Sequence, residues 1–193
     1  SIVTTIKSEA VLSLAFSPKQ DEKILAIATT KDAILFDVNR KKDIADLNKH
    51  RDVISSVAFS PDGELVATGS WDKTAKVWNA HTGEELLTLH GHTQKIMAIS
   101  FFQSGKRLVT ASEDASVRLW DTSPGDADKT NRSPLLTLRD LRSGINSAVA
   151  TLPNGPGLAT GYADGTVLLR YGASDAEITR QDMAVVKHVR FQK

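Results

Sequence analysis

The sequence has no cysteine, so disulfides and thiolate metal sites are excluded outright. It also has almost no net charge: 24 lysines and arginines face 23 aspartates and glutamates. That balance argues against a nucleic-acid or anionic-membrane binder driven by bulk charge, while leaving room for a local basic patch. No apolar run approaches the length of a membrane span, and the first residues lack the charged-then-apolar pattern of a secretory leader. An intracellular protein, cytoplasmic or nuclear, is the resulting expectation. What the chain does have is 193 residues of 40% apolar composition, enough to bury a core.

The chain repeats itself. His50, Phe59, Thr68, Asp72 and Trp78 recur as His92, Phe101, Thr110, Asp114 and Trp120, each pair 42 positions apart. Five residues of different chemistry in one register are hard to produce by chance. A period of this size points to propeller blades. Within each period run four short apolar alternations, the pattern of strands buried unequally on their two faces. Pro61-Asp62-Gly63 and Asn79-Ala80-His81-Thr82-Gly83 supply the turns between them.

The same register extends outwards with erosion. Residues 8–47 form a degenerate first unit, with Phe36-Asp37 at the position of Trp78-Asn79 and a shorter turn around Lys31-Asp32. Residues 50–89 and 92–138 are the two regular units, the second interrupted at 123–134 by a polar, proline-flanked segment that reads as a solvated loop. In a fourth unit, 141–180, Thr160 and Asp164 keep their spacing, but Arg170 stands at the tryptophan position and about Leu141 at that of the histidine. Residues 1–7 read as an outer strand of a preceding unit and 184–193 as the first strand of a further one.

On the residues of the two regular units, the chain resembles the WD-repeat β-propeller family. The resemblance implies an all-β fold of four-stranded antiparallel blades, about four of them present as part of a larger ring of about seven. It also implies a role for the repeated polar residues. In that family they form a buried hydrogen-bonded chain, indole to hydroxyl to histidine to aspartate. His50, Thr68, Asp72 and Trp78, and again His92, Thr110, Asp114 and Trp120, are thus expected to be a structural lock. A histidine, a hydroxyl and a carboxylate are also the ingredients of nucleophilic catalysis. A catalytic site is seldom repeated in adjacent units, however, and the structural reading is preferred.

Other chemistry is weakly supported. His90 and His92 alternate as metal ligands would, but His92 belongs to the lock and no third ligand is near. Asp126, Asp128 and Asn131 lack the glycine and glutamate of a calcium loop. No phosphate-cradling loop or nucleophile elbow is present. The expectation is a protein that is not an enzyme and uses no metal or cofactor. It acts instead as a scaffold, a subunit of a multiprotein assembly that binds a protein or peptide on its loop rim, with no direct nucleic-acid or membrane contact. The alternative is a sensor or autoinhibitory segment of a larger regulatory nucleotide-binding protein. Trp71, beside Asp72 on a turn, is either a partner anchor or packing against the neighbouring blade. With Arg51, Lys95, Glu113 and Arg142 it is expected to converge on one mostly basic rim. A peptide with acidic groups and an apolar side chain suits that rim.

Overall fold

The computed structural model describes residues 9–123, 132–139, 146–152, 157–171 and 187–189. They form four antiparallel four-stranded sheets. The first contains β1 (Val11–Phe16), β2 (Ile24–Thr29), β3 (Ala33–Asp37) and β4 (Lys42–Asp46). The second contains β5 (Ile54–Phe59), β6 (Leu65–Ser70), β7 (Ala75–Asn79) and β8 (Glu85–Leu89). The third contains β9 (Ile96–Phe101), β10 (Arg107–Ser112), β11 (Ser116–Asp121) and β12 (Leu136–Arg139). The fourth contains β13 (Asn146–Thr151), β14 (Gly157–Tyr162), β15 (Val167–Tyr171) and β16 (Lys187–Val189). Among the described residues there is no helix, hence none long and apolar enough to cross a membrane.

Each sheet packs face to face on the one before it. β5 lies against β1 and β2, β9 against β5 and β6, and β13 against β9 and β10. This is the geometry of successive propeller blades. At the first interface Ala26, Ala28, Ala33 and Leu35 meet Ile54, Val57, Val66 and Trp78. At the second, Ala67, Ala75 and Val77 meet Ile96, Ile99, Leu108 and Trp120. Small side chains on one face and large ones on the other let the sheets approach closely. Burying each large side chain contributes about 1.5–3 kcal/mol. Central strands are therefore covered on both sides, and every residue of β6 after Leu65 is buried.

Polar links reinforce the same step. The Val57 N–H donates to Ser13 Oγ at 3.2 Å, and the Ile99 N–H donates to Ser56 Oγ at 3.3 Å. On β1 the side chains that face away from β5 behave differently, Leu14 being 59% and Phe16 66% exposed.

Counted between the last paired residues, the first unit's turn, from Ala28 to Ala33, is one residue shorter than those from Gly69 to Ala75 and from Ala111 to Val117, as its sequence predicts. Elsewhere the structure departs from the register. Where the repeat predicts the first strand of a further unit at 184–193, Lys187–Val189 instead pairs with β15 as the outer strand of the fourth sheet. The physical reason is that the free edge of β15 presents unpaired backbone groups, and any extended segment can satisfy them whatever its side-chain register. The predicted strand at 1–7 and most of the predicted loop at 123–134 lie outside the described residues.

Gly69 shows how tightly the second and third sheets meet. A Cβ there would stand 2.8 Å from Ile96 Cγ2 and 2.9 Å from Ile99 Cγ2. Gly69→Val is expected to cost about 1–3 kcal/mol by overpacking. Urea denaturation followed by tryptophan fluorescence measures this, and an unchanged midpoint would contradict the close approach.

Candidate functional site

The two regular sheets carry the same buried chain of polar groups. In the second, Trp78 Nε1–H on β7 donates to Thr68 Oγ1 on β6 at 2.9 Å. Thr68 lies 2.7 Å from His50 Nε2, and His50 Nδ1 lies 2.8 Å from Asp72 Oδ2 in the β6–β7 turn. In the third sheet the same three distances are 2.9, 2.7 and 2.9 Å, through Trp120, Thr110, His92 and Asp114. An indole N–H can only donate, so the threonine passes its single proton to Nε2 and leaves Nδ1–H for the carboxylate. The Thr74 and Ser116 hydroxyls lie 3.3 Å from the same Nδ1 atoms as longer, secondary contacts. Thr68 and Thr110 are wholly buried. Neither hydroxyl is open to solvent.

The aspartates anchor the turns as well. Asp72 Oδ2 also accepts the Arg51 N–H at 3.0 Å, while Oδ1 accepts the Thr74 N–H at 2.9 Å and its hydroxyl at 2.6 Å. These bonds hold Lys73 at φ 74°, and their counterparts hold Ala115 at φ 61°, left-handed conformations that cost a non-glycine residue energy. Burial alone would raise both carboxyls. The bonds from His50 and Thr74, and from His92 and Ser116, outweigh it and hold them well below the usual carboxylate range. His92 is pushed down by burial, with Asp114 opposing.

The eroded fourth sheet keeps half of this device. Arg170 stands at the tryptophan position, and its Nη1 donates to Thr160 Oγ1 at 3.0 Å, replacing the indole N–H with a guanidinium. The position near Leu141 lies outside the described residues.

At the rim the predicted residues fall as follows. Arg51 is exposed just before β5, and Trp71 is half-buried in the β6–β7 turn. Lys95, preceding β9, places its ammonium 3.8 Å from the centroid of the Trp71 ring. Glu113 is half-buried and its N–H donates to the Lys95 carbonyl at 3.0 Å. Four of the five residues thus lie along one edge of two adjoining sheets, and Arg142 lies outside the described residues. Trp71 is partly covered: the Lys95 ammonium of the next sheet stands over its ring, and its indole N–H is buried without an acceptor among the described residues.

Sequence reasoning missed a second polar cluster beside this rim. Lys76 is 8% exposed, with its ammonium 3.1 Å from Glu85 Oε1 and 2.8 Å from Thr88 Oγ1. Lys49 approaches Glu85 Oε2 at 3.5 Å. Alternation along β7 puts Lys76 on the face of Trp78, while its partners come from β8 across the hairpin.

Comparison with known proteins agrees with this geometry. The family profile "WD domain, G-beta repeat" matches residues 41–79 and 83–121. The guanine nucleotide-binding protein subunit beta of Schizosaccharomyces pombe is 37% identical over 73 residues, 38% of this chain and 23% of that protein. Ribosome assembly protein 4 of Chaetomium thermophilum is 44% identical over 45 residues, 23% of this chain and 9% of that one. Pre-mRNA-processing factor 19 of Homo sapiens is 32% identical over 69 residues, 36% of this chain and 14% of that one. The matches thus span less than a quarter of each of these curated relatives. Among solved structures, U3-55K superposes with a TM-score of 0.74 at 22% identity, covering 86% of this chain and 50% of that one. A chain of the Chaetomium thermophilum polycomb repressive complex 2 superposes with a TM-score of 0.74 at 19% identity, covering 84% and 37%. These two likenesses are of fold.

Trp120→Ala and Asp114→Ala are each expected to cost about 2–4 kcal/mol, from lost packing and stranded buried partners. A double-mutant cycle should show coupling of about 1 kcal/mol or more, and additive losses would contradict a shared chain. Acid should also weaken the fold in two stages. His92 has a depressed folded pKa, so its contribution is complete above about 6.5 and declines as pH falls below that value. The depressed carboxyls of Asp72 and Asp114 contribute fully above about 3.9 and lose that contribution at lower pH. Urea midpoints from pH 8 to pH 3 test this: the wild-type protein should weaken along that descent, and Asp114→Asn should flatten its lower part.

Proposed function

We propose that this chain, two of whose units match the WD-repeat family, is a non-catalytic interaction scaffold that holds a protein or peptide on the loop rim of its second and third sheets. Its relatives include a G-protein subunit and a ribosome assembly protein, and its fold recurs in a chain of a repressive complex. The observation that carries the reading is the stacking of Lys95 on Trp71 across two sheets, 3.8 Å from ring centroid to ammonium, next to the exposed Arg51. One turn and one interstrand segment from different blades are thereby held as a single surface. The uncovered part of the indole supplies apolar area, while Arg51 and Lys95 supply cationic charge. Such charges chiefly set specificity and on-rate. A segment with acidic groups beside an apolar side chain would meet both needs.

Partner capture by the full chain tests this. Trp71→Ala is expected to weaken binding by about 2 kcal/mol or more, and Lys95→Glu should slow association. Deletion of residues 126–132 should leave both intact. If the deletion abolishes capture while the two variants bind normally, the partner uses the other rim.

A further inference from the structure

Beside the rim lies a cleft of about 410 Å³ lined by Lys49, Arg51, Asp72, Thr74, Lys76, Thr88 and His90. It is built entirely by the second sheet and its flanking segments. Lys49 and Arg51 reach it from the segment before β5, Lys76 from β7, and His90 from just beyond β8. Its chemistry is cationic. Three permanent cations share two carboxylates, Asp72 in the wall and Glu85 bridging Lys49 and Lys76.

Both carboxylates keep their charge, so three cations against two anions leave the cleft one net positive charge, and the oxygens of both are already engaged. Both oxygens of Asp72 are occupied, by His50 and the Arg51 N–H on one side and by Thr74 on the other. Glu85 is committed to Thr88, Lys76 and Lys49. On the donor side there is surplus. The Lys76 ammonium has three N–H groups, of which Glu85 and Thr88 take two. The Arg51 guanidinium forms no ion pair among the described residues, and its planar fork suits an oxyanion.

The cleft is not a by-product of the repeat. In the third sheet the lock recurs, but Gly91 replaces Lys49, Thr93 replaces Arg51 and Arg118 replaces Lys76. Arg118 then occupies the equivalent space, for a Cβ on Gly91 would stand 2.5 Å from its Nη1. One blade is open and cationic where its neighbour is filled.

We propose that this cleft seats the oxyanion group of a phosphorylated serine or threonine in a bound peptide. The inference rests on the scaffold reading and names the chemistry of its partner. A phosphoryl group offers three terminal oxygens and nearly two negative charges. It therefore uses the Arg51 fork, the spare Lys76 donor and Lys49 together, where a carboxylate has only two oxygens to share among them.

The test is fluorescence anisotropy on the full chain with three labelled peptides, identical but for phosphoserine, glutamate or serine at the centre. The phosphoserine peptide should bind most tightly, with inorganic phosphate competing and added salt weakening the complex. Lys49→Gly, Arg51→Thr and Lys76→Arg combined install the third sheet's own residues, which the fold already accommodates. That variant should lose about tenfold or more in phosphopeptide affinity. Lys49→Gln should lose part of it, and Lys106→Glu on the opposite rim should change it less than twofold. Equal binding of the phosphoserine and serine peptides overturns the proposal, as does an unaltered affinity in the triple variant. Tighter binding of the glutamate peptide would reassign the cleft to acidic side chains and likewise overturn it. The scaffold reading fails separately, if Trp71→Ala leaves partner capture unchanged.

Discussion

A polar group trapped between two stacked sheets has no water to bond with, and this constraint governs the regular blades. Leaving one buried donor or acceptor unpaired costs about 1–3 kcal/mol. Trp78, Thr68, His50 and Asp72 answer the constraint as one unit, since each hands its proton to the next. Removing any member strands its neighbours. The fourth sheet shows which part can be exchanged: Arg170 supplies an N–H to Thr160 where the indole would have done so.

The lock also determines how the rim is built. Asp72 and Asp114 sit at the end of their chains, so the turns that carry them cannot drift from the core. Through the Arg51 N–H, Asp72 also ties down the segment entering β5. Trp71, next in sequence, is thereby held where Lys95 of the following sheet can cover it. Interior hydrogen bonding and surface presentation are thus two ends of one network, and loop residues gain definition without packing of their own.

On that common frame the blades differ where the lock makes no demand. Lys49, Arg51 and Lys76 give one blade an open cationic cleft, whereas Gly91, Thr93 and Arg118 give the next a filled one. Repetition preserves what burial requires, and surface chemistry varies around it.

The strand pattern was legible in the sequence from its 42-residue register, and the lock was expected only from the family that this register resembles. The register places His50, Thr68, Asp72 and Trp78 of one blade where His92, Thr110, Asp114 and Trp120 stand in the next, although central strands such as β6 and β10 are buried on both faces rather than on alternate ones. The shared rim edge of Arg51, Trp71, Lys95 and Glu113 follows from the same register, because turns of one kind fall at one end of every sheet. Tertiary structure alone decided the rest. That Lys95 covers Trp71 depends on the distance between two sheets, which no single strand pattern encodes. The pairing of Lys187–Val189 with β15 depends on backbone groups that carry no side-chain signature. The burial of Lys76 against Glu85 and Thr88, and the cleft it helps to line, depend on side-chain reach across a hairpin. Spacing along the chain specifies which face a residue occupies, and only packing specifies what meets it there.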